Sequence, residues 1–102
     1  MPTLSTHVLD TAHGRPATGV PVRLADASGT DLDRGVTDGD GRVGPLGGEL
    51  VAGTYALVFD VSAYQSGFYP EVRVTFEVAA DQEHYHVPLL LSPYGYTTYR
   101  GS

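Results

Sequence analysis

No cysteine occurs in the 102 residues, which excludes a disulfide framework, a thiolate metal site and a cysteine nucleophile, and leaves the redox compartment open. Lysine is absent too. All six basic residues are arginines, at positions 15, 23, 34, 42, 73 and 100, dispersed singly among twelve acidic residues for a net charge of −6. The clustered basic surface of a nucleic-acid footprint is therefore missing. No stretch approaches the roughly 18 consecutive apolar residues of a membrane-spanning helix, and Met1-Pro2-Thr3-Leu4 carries no basic leader. The chain reads as a soluble, cytoplasmic protein whose chemistry must come from His, Arg, Ser, Tyr and carboxylates.

What is present is β-structure. The length suits a single domain over residues 1–102. Glu71-Val72-Arg73-Val74-Thr75-Phe76-Glu77-Val78 alternates polar and apolar residues without a break, the period of a half-buried strand. Tyr55 to Val61 puts Tyr55, Leu57, Phe59 and Val61 on one face, and Val20, Val22 and Leu24 repeat the pattern. Further strands are expected at Leu4 to Asp10, Leu32 to Thr37, His84 to Leu91 and Tyr94 to Arg100, with a short one near Val43 to Leu46. Gly14-Arg15-Pro16, Ala27-Ser28-Gly29, Asp38-Gly39-Asp40-Gly41, Gly47-Gly48 and Ala80-Asp81-Gln82 punctuate them as turns. The expectation is an all-β, antiparallel two-sheet sandwich. One short surface helix fits at Val61 to Gln65, with Asp60 as its N-cap. Asp38-Gly39-Asp40-Gly41 resembles part of a calcium loop, but the downstream glutamate and flanking helices are missing, so it reads as a hairpin turn.

The residues able to do chemistry are few. His84 and His86, two apart on a strand, project from one face with Tyr85 on the other. They are either solvated or hydrogen-bonded histidines, metal ligands needing help from His7 and His13, or catalytic bases that titrate near neutrality. His7 shares its strand face with Ser5 and Leu9, and Arg42 follows a glycine-rich turn. Aromatic and apolar density runs on to the last residue, where chain termini are usually least ordered, so the C-terminal tail is expected to be docked.

Taken in order, Leu4-Ser5-Thr6-His7-Val8-Leu9-Asp10-Thr11 with Gly14-Arg15-Pro16, Asp40-Gly41-Arg42, Phe68-Tyr69-Pro70-Glu71-Val72, His84-Tyr85-His86-Val87-Pro88-Leu89 with Ser92-Pro93, and Tyr99-Arg100-Gly101-Ser102 resemble the transthyretin-like family. The terminal tetrapeptide resembles that of its hydrolase branch rather than its hormone carriers. The resemblance implies a transthyretin-like sandwich of about eight strands, assembled as a homotetramer by sheet extension and face-to-face packing of dimers. Active sites would lie in the channel between dimers. The implied reaction is hydrolysis of 5-hydroxyisourate to 2-oxo-4-hydroxy-4-carboxy-5-ureidoimidazoline in urate catabolism, with no cofactor and no metal. Carried over by position, the catalytic residues are His7, Arg42 and His86, and the substrate-binding residues are Tyr99, Arg100, Gly101 and Ser102.

Those residue types suit the chemistry. Opening a cyclic imide-like ring needs a positioned water, a base for its proton and donors for the developing oxyanion. His7 and His86 are expected to activate water and shuttle protons. Arg42 would hold the substrate's carbonyl oxygens with its planar fork of donors and keep a neighbouring histidine neutral. Ser102 would shape the pocket rather than attack. The alternative is a transthyretin-like carrier of small ligands without turnover, because one fold supports both; the missing lysine counts against it, since the carriers have a lysine at the channel mouth where His7 stands here. A structural β-sandwich module would not account for a docked tail.

Overall fold

The computed structural model describes residues 2–101. Nine strands run through them: β1 (Thr3–Asp10), β2 (Arg15–Pro16), β3 (Pro21–Asp26), β4 (Asp31–Val36), β5 (Arg42–Val43), β6 (Gly53–Phe59), β7 (Val72–Val78), β8 (His84–Leu91) and β9 (Tyr96–Thr98). They form two sheets. One has the order β2-β1-β8-β9, with β5 also paired to β1, and the other the order β4-β3-β6-β7. Among the described residues no helix is long and apolar enough to cross a membrane.

The alternation expected from the sequence decides which faces meet. Leu4, Val8, Leu89 and Leu91 of the first sheet and Val22, Leu24, Leu57 and Phe59 of the second are at most 2 % exposed, and they form the core between the layers. Each such side chain contributes roughly 1.5–3 kcal/mol by leaving water. On β7, only Val72 and Val78 are fully buried. Val74 and Phe76 are half-buried, because β7 is the last strand of its sheet and its middle faces a groove beside β9.

Three features differ from the expected sandwich. β1 and β8 pair in parallel along their full length, from Thr3↔His84 to Asp10↔Leu91. Antiparallel pairing is obligatory only for strands joined by a tight turn, and these two are separated by the whole second sheet. Gly14-Arg15-Pro16, read as a turn, continues into the two-residue strand β2. The helix expected after Asp60 is a single 3-10 turn, Val61–Ala63. Asp60 does not cap it; its carboxylate instead accepts the hydroxyl of Ser62.

That turn is fastened to the first sheet through its C-terminal residue. Asp10, 1 % exposed at the end of β1, accepts the Tyr64 hydroxyl at 2.6 Å, the His13 backbone N–H at 3.1 Å and His13 Nδ1 at 2.8 Å. Burial opposes its charge, but these hydrogen bonds more than offset that and hold the carboxyl below the ordinary aspartate range. Because the folded-state pKa is depressed, the stabilisation is present above the unfolded-state pKa of about 3.9 and is lost as pH falls through the folded value. Tyr64→Phe removes one charge-assisted bond. It is expected to cost about 1.5–3 kcal/mol in urea unfolding at pH 7 and to move the acid unfolding transition to higher pH.

Candidate active site

The outward face of the first sheet carries the candidate residues. On β1 the inward set is Leu4, Thr6, Val8 and Asp10, which leaves Thr3, Ser5, His7 and Leu9 half-buried on the opposite face. On β8 the inward residues include Tyr85, Val87, Leu89 and Leu91, so His84 and His86 project outward beside β1. The parallel register sets Ser5 opposite His86 and His7 opposite Pro88. The His7 and His86 rings lie 6.4 Å apart between centroids, tilted by 44°. His7 Nε2 is buried without a hydrogen-bond partner among the described residues. A buried polar atom calls for a hydrogen-bond partner.

Arg42 reaches the same face from β5, where it pairs with His7. The turn before it is built for that placement. Asp38 Oδ1 accepts the backbone N–H groups of Asp40 and Arg42 at 2.9 and 3.0 Å, which, with the backbone bond to Arg42 as the largest influence, holds its carboxyl below the ordinary range. Gly41 has φ +75°, and a Cβ there would run into the carbonyl oxygen of Val8, while its own carbonyl accepts the Val8 N–H at 2.7 Å. Asp38 to Gly41 is thus a tight turn, but not the expected hairpin: it carries the chain from β4 of one sheet to β5 of the other and delivers Arg42 beside His7.

A hydrogen-bonded chain connects the outward residues of β1 and β8. Thr3 Oγ1 meets His84 Nδ1 at 2.6 Å, His84 Nε2 meets Ser5 Oγ at 3.0 Å, and Ser5 Oγ meets His86 Nδ1 at 2.9 Å. The Nε2 of His86 is left to face the site. Burial is the main cause lowering the pKa of His86 below the ordinary histidine value, followed by the positive charge of Arg42 and the neighbouring His7 and His84. An imidazole kept neutral in this way can accept a proton near neutral pH.

The tail docks against the same strand. Gly101 donates its N–H to the His86 carbonyl at 2.8 Å and forms an antiparallel bridge with that residue. A Cβ at Gly101 would lie 2.7 Å from His86 Cδ2 and 3.2 Å from His86 O, so only glycine lets the tail approach so closely. The guanidinium of Arg100 sits 4.8 Å from the Tyr85 ring centroid and donates to Gln82. It anchors the tail from the side of β8 opposite His86. Tyr99 lines an apolar groove of about 200 Å³ with Val74 and Phe76.

The family model for the HIUase/Transthyretin family matches residues 4–101. The chain belongs to the HIUase/Transthyretin family. It is 47 % identical over 109 residues to the 5-hydroxyisourate hydrolase of Salmonella dublin, covering 97 % of this chain and 80 % of that one. Among solved structures, Klebsiella pneumoniae 5-hydroxyisourate hydrolase superposes with a TM-score of 0.92 at 36 % identity, covering both chains completely. Sea bream transthyretin, solved with thyroxine, superposes with a TM-score of 0.88 at 34 % identity, over 96 % of this chain and 93 % of its own. Family membership and fold thus embrace both a hydrolase and a thyroxine-binding protein, and only side chains can separate the two.

Within this family fold, His7, Arg42, His86 and Gly101 of the expected site come together on one sheet face. The side chains of Tyr99 and Arg100 do not join them, and Ser102 lies outside the described residues. His13, considered above as a fourth metal ligand, is held by Asp10 beyond the end of β1. Among the described residues no three or more His or carboxylate groups converge as a metal set. Sequence reasoning missed the role of Thr3 and of Ser5 as bridge between His84 and His86. Alternation already put Ser5 on the face of His7; the parallel pairing that brings it to His86 had no local signal.

Proposed function

We propose that this chain hydrolyses 5-hydroxyisourate to 2-oxo-4-hydroxy-4-carboxy-5-ureidoimidazoline in urate catabolism, with His7, His86 and Arg42 as its catalytic residues. The observation that carries this reading is the pairing of two imidazoles 6.4 Å apart beside an arginine, with the buried His7 Nε2 unpartnered among the described residues. His86 accepts a proton from water at Nε2 while the water oxygen bonds to a ring carbonyl carbon. Arg42 holds the carbonyl oxygens and stabilises their growing negative charge. Collapse of the tetrahedral adduct breaks the ring C–N bond, the leaving nitrogen takes a proton from the histidine pair, and the carboxylic acid so formed releases its proton to solvent to leave a carboxylate. The backbone of Gly101 would wall the site, with Tyr99 and Arg100 fixing the tail from behind.

The reading includes a homotetramer. It is supported by the end strands β7 and β9, which flank one apolar groove, and by Phe68 at 69 % exposure, whose ring packs on Tyr69 and through it on Tyr96 of β9. The histidine face is then closed by a second copy across a central channel.

Two results are expected. With substrate in large excess over protein, product formed within the lifetime of free 5-hydroxyisourate exceeds the protein concentration many-fold; product limited to the spontaneous yield, with ligand retained by the protein, would establish a carrier instead. The pH profile has a defined sign. Because the pKa of His86 is lowered, kcat/KM stays high through neutrality and its acid limb falls below about pH 6.5, the ordinary histidine value. An acid limb above that value would contradict the assignment of His86 as base.

A further inference from the structure

The hydrogen-bonded chain behind His86 has a property that none of its members has singly. Ser5 Oγ contacts both His84 Nε2 at 3.0 Å and His86 Nδ1 at 2.9 Å, and a serine hydroxyl has one proton to give. When that proton goes to His84, Ser5 accepts from His86 Nδ1–H, and the His86 Nε2 lone pair faces the site. When it goes to His86, the Nδ1 position is filled and His86 Nε2 carries the proton. Thr3 completes the first arrangement. Its oxygen accepts His84 Nδ1–H at 2.6 Å, and its hydroxyl points its own proton at the Glu83 carbonyl 3.5 Å away.

We propose that Ser5 and His84 are positioning residues that hold His86 in its Nδ1–H tautomer. The inference rests on the reading of His86 as the base. In the opposite arrangement His86 carries its proton at Nε2, where it cannot accept another from water. The other groups facing His86 are His7 from β1 and Arg42 from β5. Neither touches Nδ1, so neither can substitute for Ser5, although both oppose a full positive charge on His86. Asp38 lies near enough to Arg42 and His7 to feel their charge and makes no bond to either imidazole of β8.

Imidazole nitrogen NMR of the whole protein labelled with ¹⁵N-histidine tests this without reference to turnover. At mildly alkaline pH, His86 is expected to show a protonated Nδ1 and a lone pair at Nε2. In Ser5→Ala the preference for Nδ1–H should be lost, and His84→Phe, which removes the acceptor of the Ser5 proton, should weaken it even if the serine variant folds poorly. Activity supplies a second readout. Ser5→Ala should lower kcat by about 10–100-fold with KM little changed, and the double variant Ser5→Ala/His84→Phe should be no worse than Ser5→Ala alone, because both substitutions break one chain. An Nε2–H tautomer in the wild type, or a tautomer unaltered by Ser5→Ala, overturns the proposal. A locked Nδ1–H tautomer in a protein that does not turn over 5-hydroxyisourate would uphold the lock and sink the functional reading.

Discussion

His86→Ala should lower kcat by about 10²–10⁴-fold, the range for loss of a positioned general base, equivalent to about 2.7–5.4 kcal/mol of transition-state stabilisation. The fold should survive. His86 points away from the inter-sheet core, and its backbone bond to Gly101 does not depend on the side chain. His7→Ala and Arg42→Ala are expected to have effects of similar size. Because the three groups act on one water and one carbonyl, the triple variant should be little worse than the worst single one. Steady-state rates at pH 7.5 with circular dichroism and sedimentation on the same samples check this. Near-normal turnover in His86→Ala would remove the base from the mechanism, and loss of the oligomer in any variant would make that residue structural instead.

Removing Tyr99 to Ser102 should separate activity from stability just as sharply. The deletion takes away the contact of Arg100 with Tyr85 and the Gly101 bridge to His86. A surface cation–π contact is worth about 0.5–1 kcal/mol and a backbone hydrogen bond about 0.5–1.5 kcal/mol, so Tm should drop by no more than about 20 °C for a domain of this size. Turnover should fall by about 10²-fold or more, since the wall beside His86 goes with the tail and small losses of positioning are costly. Gly101→Val gives the finer version. Its Cβ would sit 2.7 Å from the His86 ring and 3.2 Å from the His86 carbonyl, so the tail must lift while the rest of the chain stays intact. A truncated enzyme with unchanged kcat/KM would refute a functional tail.

Residue spacing made much of this molecule legible. Uninterrupted alternation in Glu71 to Val78 marks a strand, Leu4 to Asp10 reads as another on its apolar Leu4 and Val8, and His84 to Leu91 has the bounds expected of it because Ser92-Pro93 closes the apolar run Val87 to Leu91. The last strand was harder. Tyr94 to Arg100 has the composition of one long strand, yet pairing stops at Thr98 and resumes only at Gly101. Pro88 is the cause. It has no N–H to give to a neighbour, so the ladder with β9 breaks opposite it, and Tyr99 and Arg100 are free to turn towards Tyr85 and the edge groove. The site was legible in its members and not in its wiring. His7, Arg42 and His86 bear chemistry in any setting, whereas Ser5 becomes significant only when a parallel pairing 81 residues away in sequence sets it against His86.

The central claim is that this chain is a hydrolase and not a carrier. The most direct measurement generates 5-hydroxyisourate in the cuvette from urate and urate oxidase, then follows its ultraviolet absorbance with and without the protein after exhaustive chelator treatment. Decay faster than the spontaneous rate, first order in protein and abolished in His86→Ala, is the expected result. Decay at the spontaneous rate in the presence of folded, oligomeric protein would contradict the account.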